Sequence, residues 1–348
     1  MDSTGLQIGI ELEVLLTPTS QPEGGFKDLE HFCLLVARKW NAEKAPGDAN
    51  MHVDIDGEYD GGNEDIEWSI TDDETLHGLE DAGAGRWAVE FTTLILKYNA
   101  SQSWRRDVQG LWTFLDINML IETHAKCGTH VHMSPLEGIW PLIHLKKICR
   151  CILWFEAAFE ILVPESRRGN RYCKSNRLDN PKFLGKSLKQ CLTMIDECQS
   201  NQDIVDLMNN EGDRYYAWNF TNLYYGGKKT IEFRRSPGAE DDKGCISWVE
   251  LAVSFVQAAI KSGTAVGLKM YEKNIEDLLR FIRGATVPQL NRPQAMQQIF
   301  SGKTGAMMPK QVGILSAEQF AELLRKIAQD GKKNLMLKKY MAAGDEYI

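Results

Sequence analysis

The sequence predicts an α+β fold: a mostly antiparallel curved sheet with flanking helices, followed by a C-terminal helical appendix. Three patterns carry that prediction. Between residues 44 and 85 two short strand-like runs, Met51 to Ile55 and Ile66 to Thr71, lie among Gly-, Asp- and Asn-rich turns, as in a meander. Strand and helix patterns then alternate as far as Pro164. From Gly244 onward the periodicity is helical, over 245–264, 272–283, 293–300, 316–329 and 332–342, punctuated by Pro288, Pro293 and Pro309. The expected organisation is one unit over 1–284 and a separate helical appendix over 285–348.

The elements follow in order. Ile8 to Leu15 alternates as a strand, and Leu29 to Trp40 places Phe32, Cys33, Val36 and Trp40 at helical spacing. Arg86 to Leu96 reads as a strand. A helix opens at Ser101 or Ser103, with Trp104, Val108, Leu111, Trp112, Leu115 and Met119 on one face. Cys127 to Ser134 is the next strand, and the apolar helix Trp140 to Leu162 is closed by Pro164. Residues 165–177 hold Arg167, Arg168, Arg171, Lys174 and Arg177, either a solvated loop or a flap that meets phosphates or an acidic substrate. Helices over 186–199 and 202–210 precede a hairpin of Tyr215 to Tyr224 and Lys228 to Arg235 around Gly226-Gly227.

Composition narrows the function. With 43% hydrophobic and 25% charged residues the 348-residue chain is an ordinary globular one, long enough for about two domains of ~150 residues. A net charge of -8 argues against nucleic acid as a partner, since duplex affinity needs Lys and Arg on phosphates. Met1 to Gly5 has no basic region leading into an apolar run, and no window reaches the ~20 apolar residues of a membrane span. The expected location is cytoplasmic, with no membrane partner. The eight cysteines read as reduced, partly buried thiols, and Cys149-Arg150-Cys151 lacks the spacing of a structural zinc site.

Four strands carry ionisable groups on one face and apolar groups on the other: Glu11 and Glu13; Glu90; His130 and His132; Glu232 and Arg234. Each alone has a bland reading, as a solvated strand face, a hydrogen-bonded histidine pair or a cross-strand ion pair. Together they point to one shared cation site, because carboxylates facing a packed sheet require a compensating charge. Oxygen-rich ligation with one or two imidazoles suits Mg²⁺ or Mn²⁺ better than zinc, and such ions bind beside substrate phosphates, so ATP is the expected ligand. Two nucleotide motifs fail on context. Gly302-Lys303-Thr304 lacks the first Gly and the strand of a P-loop, and Gly83-Ala84-Gly85-Arg86-Trp87-Ala88 leads into a strand instead of opening a helix. His130, His132 and Glu137 match the first cupin metal motif, although the only later histidine, His144, falls in a helix.

These residues resemble the amidoligase family of the carboxylate-amine ligases, relatives of glutamine synthetase and glutamate-cysteine ligase. The resemblance runs over residues 7 to 260, through Gly9-Ile-Glu11-Leu-Glu13, Trp68-Ser-Ile-Thr-Asp-Asp73-Glu-Thr-Leu76, Glu90-Phe-Thr-Thr93, Gly128-Thr-His130-Val-His132, and Arg214 and Asn219 ahead of Thr230-Ile-Glu232-Phe-Arg234. Glu74 and Thr75 stand where the family has Gly and Ser, and the appendix has no counterpart. The resemblance implies a glutamine-synthetase-like amidoligase catalytic domain over 1–284. It implies that Glu13 and Glu90 hold one metal ion and Glu11, His130 and Glu232 a second. It also implies that His132 contacts the ATP phosphates and Arg234 the transferring phosphoryl group or the substrate carboxylate. Arg214, Arg168, Arg171 and Asn219 are further candidates for phosphate or carboxylate binding.

The expected reaction is ATP- and Mg²⁺-dependent joining of a small-molecule or peptide carboxylate to an amine through an acyl phosphate. The alternatives are phosphotransfer without ligation on a related fold and a cupin-type metal enzyme.

Overall fold

The computed structural model describes residues 5–20, 24–55, 65–99, 101–224, 227–285 and 294–312. In chain order its strands are β1 (Leu6–Pro18), β2 (Met51–Val53), β3 (Trp68–Thr71), β4 (Trp87–Thr92), β5 (Leu96–Tyr98), β6 (Met119–Glu122), β7 (Thr129–Pro135), β8 (Trp218–Asn219) and β9 (Ile231–Phe233). The helices are α1 (Leu29–Glu43), α2 (Ser103–Asn118), α3 (Leu142–Leu162), α4 (Leu188–Glu197), α5 (Asn201–Met208), α6 (Asp242–Ser262), α7 (Ala265–Leu268), α8 (Ile275–Arg283) and α9 (Gln297–Phe300).

All nine strands join one open sheet, β2-β3-β4-β1-β7-β9-β8 with β5 and β6 also on β1, and every pairing except β2 with β3 is antiparallel. β1 is the axis because its alternation persists: Leu6, Ile8, Ile10, Leu12, Val14 and Leu16 are all buried. One edge of β1 takes β5 and then β4, and the other takes β7 and then β6.

The apolar face is covered by helices. Phe159 of α3 meets Trp218 and Phe233 with ring centroids 6.1 and 5.8 Å apart, and Phe255 of α6 at 4.9 Å. Each such side chain, fully buried, contributes about 1.5–3 kcal/mol. α6 is long and apolar enough to cross a bilayer by composition, but 83% of its most apolar window is buried, so it is a core helix of this fold. Within the helix layer Glu250 accepts from the Tyr98 hydroxyl at 2.7 Å and pairs with Arg105. All eight cysteines are buried and free.

Several elements depart from the sequence pattern. The expected strand over Arg86 to Leu96 breaks after Thr92, where the Thr93 hydroxyl accepts the Ile10 N–H at 2.9 Å, and the chain re-enters the sheet as β5. α2 stops at Asn118, one residue short of Met119, which opens β6, a strand the helical spacing had concealed. Among the described residues the 215–235 hairpin pairs only over β8 and β9. Thr221–Leu223 winds into a 3-10 turn instead, and Asn222 ties it down by accepting the Lys229 N–H and donating to the Thr230 hydroxyl. The expected 293–300 helix forms only over Gln297–Phe300, and those at 316–329 and 332–342 lie outside the described residues.

Residues 294–312 pack on the helix layer. Met296, Ile299 and Phe300 are buried, the Met307 N–H donates to Ala157 O at 2.9 Å, and the Val312 N–H donates to Asp179 Oδ1 at 2.9 Å.

Candidate functional site

The face of the sheet opposite the helices carries the ionisable residues, and strand register makes them neighbours. Glu13 stands directly opposite Glu90, Glu11 opposite His130, and Glu232 opposite both His132 and Asn219. Cross-strand partners have Cβ atoms ~4.5–5.5 Å apart, and like charges placed so are destabilising. Asp73, in the turn after β3, joins this row, its carboxylate held by the Thr75 N–H at 2.6 Å and the Thr75 hydroxyl at 2.5 Å. Leu15, Leu76, Ala88 and Cys127 form a small apolar cluster of their own; Leu15 and Ala88 lie on this face, two residues along from Glu13 and Glu90.

Ligand atoms converge in three overlapping groups, within each of which they lie inside 4.8 Å of one another: Glu13, Asp73 and Glu90; Glu11, Glu90 and His130; and Glu11, His132 and Glu232. His130 Nδ1 lies 3.0 Å from Glu11 Oε2 and 3.7 Å from Glu232 Oε1, so it also reaches the third group. His132 Nε2 is 3.0 Å from Glu11 Oε1, and its Nδ1 is 3.1 Å from the Thr230 hydroxyl. Glu13 accepts the Gly128 N–H at 2.5 Å, and Glu232 accepts from Asn219 Nδ2 at 2.8 Å and from Arg234.

Burial and like charge pull the carboxyls apart. Burial and the neighbouring Asp73 push Glu13 well above the usual carboxylate range, against the pull of Arg234 and Arg167. Burial would raise Glu11 too, but the charge of His132 and hydrogen bonds from both imidazoles hold it well below. Burial would raise Glu232 as well, but Arg234 together with His132 and His130 lowers it. Burial and Arg234 lower His130, whereas Glu11 and Glu232 outweigh burial and raise His132.

A family model described as "putative amidoligase enzyme" matches residues 5–256, most of the chain and all of the site. The chain belongs to that family. A comparison with curated proteins returned no match.

In this amidoligase-family protein the sheet brings Glu11, Glu13, Glu90, His130, His132 and Glu232 together as one surface. The grouping differs from the one expected: His132 ranks as a ligand candidate beside Glu11 and Glu232, and Asp73 completes the Glu13–Glu90 pair. Asp73 was missed as a ligand because a turn has no side-chain period; its signals were its place after a strand leading to the site and within the segment Trp68 to Leu76 that resembles the family. Asn219 faces Glu232, where it orients that carboxylate. Arg234 and Arg214 both contact the Tyr215 ring, their guanidinium carbons 5.7 and 5.2 Å from its centroid.

The basic run is partly buried, with Arg167 and Lys174 buried, Arg168 and Arg177 half-buried and Arg171 exposed. Arg168 donates to the carbonyls of Glu160 and Val163 at the end of α3, Arg171 is exposed over the Tyr172 ring, and Lys174 pairs with Asp213. Glu137 is exposed in the turn after β7 and joins none of the three groups, so the cupin grouping does not form among the described residues.

The donor set fits a hard divalent cation. Oxygen atoms predominate, imidazoles are few, and crowded carboxylates, one with its acidity suppressed by burial and then by a like-charged neighbour, are what such an ion would relieve.

Proposed function

We propose that this amidoligase-family protein is an ATP-dependent ligase, working with Mg²⁺ or Mn²⁺, that joins a carboxylate to an amine as an amide through an acyl phosphate. The observation that carries the reading is the Glu13–Glu90 pair. Two buried carboxylates stand directly opposite each other with Asp73 beside them, a crowding of like charge that bound cations would relieve.

A carboxylate resists an amine at neutral pH because its oxygen is a poor leaving group and the two form a salt. Transfer of the terminal phosphoryl of ATP to a carboxylate oxygen makes phosphate the leaving group; the amine nitrogen then attacks the carbonyl carbon, and phosphate departs. Little covalent chemistry falls to the protein, so its residues act by position and charge. Glu13, Asp73 and Glu90 would hold one cation, and Glu11, His130, His132 and Glu232 would hold the rest. Bound there, the cations would neutralise phosphate oxygens. Arg234 and Arg214, both against the Tyr215 ring, would meet the anionic end of the reaction, the phosphoryl group or the substrate carboxylate. Arg171 is the one member of the basic run exposed enough to reach a phosphate from outside. We assign residues 1–284 as the catalytic unit and 285–348 as an appendix supporting it.

The test is an ADP-release screen with Mg²⁺ over panels of carboxylates and amines, followed by mass spectrometry of the products. An amide product with release of both ADP and phosphate supports ligation. ADP release with a stable phosphorylated product, and no requirement for an amine, would assign phosphotransfer instead.

A further inference from the structure

Arg167 lies outside the ligand set, yet it is 2% exposed and its guanidinium is spent on the backbone of two site-bearing segments. Nη1 donates to three successive carbonyls of the turn between β6 and β7, at 3.2 Å to Ala125, 3.5 Å to Lys126 and 3.2 Å to Cys127. Nη2 donates to Arg234 O at 2.9 Å, next along the chain from Glu232 and Phe233. A lysine could not make this set of contacts, because the fork needs two nitrogens in one plane.

The turn it grips decides the geometry of Glu13. Gly128 follows the three gripped carbonyls, donates its N–H to Glu13 Oε2 and accepts the Glu13 N–H at 3.1 Å. A Cβ at Gly128 would fall 2.6 Å from His130 Nε2 and 3.3 Å from Arg167 Nη2, so the imidazole and the guanidinium both crowd the space that a side chain there would need. Movement of Arg167 is therefore passed to Glu13 and His130 through one residue, and to Glu232 through the backbone of Arg234.

The geometry points to Arg167 as a positioning residue of the cation site, one that sets the separation of the Glu13, His130 and Glu232 ligands by clamping the β6–β7 turn to the strand end at Arg234. This inference rests on the cation reading above. Partners that hold ligands in place change metal affinity by ~10–100-fold when removed.

The structure also supplies a way to test it. A cavity of about 490 Å³, lined by Thr123, His124, Ser166, Gly238 and Glu240, lies against Arg167 and opens to solvent. Truncating Arg167 to Ala would leave a hole continuous with it, which a free guanidinium ion can enter.

The experiment is Mn²⁺ titration of the full-length chain followed by electron paramagnetic resonance, alongside thermal unfolding. Arg167→Lys and Arg167→Ala are each expected to weaken Mn²⁺ binding by ~10–100-fold. Guanidinium chloride at millimolar concentration should restore affinity to the Ala variant, while tetramethylammonium should not. Arg105→Lys, which disturbs the buried pair with Glu250 in the helix layer, should lower the melting temperature and leave Mn²⁺ affinity as it is. If the Ala variant does not fold, the Lys variant decides. Wild-type affinity in either folded variant, or no rescue by guanidinium, overturns the positioning role while leaving the cation site intact. A wild-type chain that binds no Mn²⁺ overturns both.

Discussion

Glu13 is shifted the opposite way from Glu11 and Glu232, a difference that can be measured. Burial and Asp73 keep its proton on to a higher pH in the fold than in the unfolded chain. The cation-free fold then binds more protons than the unfolded chain, so this contribution to stability declines as pH rises from the ordinary carboxylate value through the raised one. Glu11 and Glu232 run the other way: lowered in the fold, they stabilise above the ordinary value and lose that contribution as pH falls through their folded values. Thermal unfolding against pH should therefore show a decline on the alkaline side of the carboxylate range that Mn²⁺ suppresses, by displacing the proton, and that Glu13→Gln abolishes. For catalysis, Glu232→Gln and His130→Ala should each lower the ATP-dependent rate at least ~100-fold, the scale of a deleted electrostatic stabiliser. The sequence suggested that His132→Ala would chiefly weaken ATP binding. Its 3.0 Å approach to Glu11 predicts that it raises the Mg²⁺ requirement as well, read from the Mg²⁺ dependence of the rate at saturating ATP.

Among the elements, the strands were the legible part. Period-two alternation sorts side chains between faces without any knowledge of partners, so Glu11, Glu13, Glu90, His130, His132 and Glu232 could be assigned to one side from spacing alone. Ends and turns were not legible in this way. β6 follows α2 without a break, and its Met119 also satisfies the helical spacing; the hairpin signal at Gly226-Gly227 overstated a pairing that Asn222 shortens by competing for the backbone. Arg167 was visible as one of several arginines in a basic run, but its partners are main-chain carbonyls some forty and more residues away in sequence, which no local pattern encodes. The helix layer makes its own prediction. Glu250→Leu removes the carboxylate facing Arg105 and the acceptor of the Tyr98 hydroxyl, and should cost about 3 kcal/mol or more in urea unfolding, since breaking a buried pair leaves its charge uncompensated.

At the scale of the molecule, the sheet divides labour between its faces: one packs helices, the other gathers charge. The segment over 294–312 lies past the family match yet packs on the helix layer, with its Phe300 buried. Phe300→Ala should therefore destabilise the whole chain by about 3 kcal/mol, as a core truncation does, and lower a single cooperative melting transition without changing Mn²⁺ affinity. A variant melting like the wild type would show that this segment contributes nothing to the fold.

The sequence by itself determined the alternating strands, their charged face and the family, because side-chain period and motif order are local properties that survive without coordinates. Tertiary structure alone decided which carboxylates meet. Register set Glu13 against Glu90, a turn delivered Asp73, and a distant guanidinium took hold of the loop that carries Gly128. These depend on how far each chain segment slides before it packs, a quantity fixed by the burial of Ile10, Leu12, Val131 and Phe233 on the opposite face.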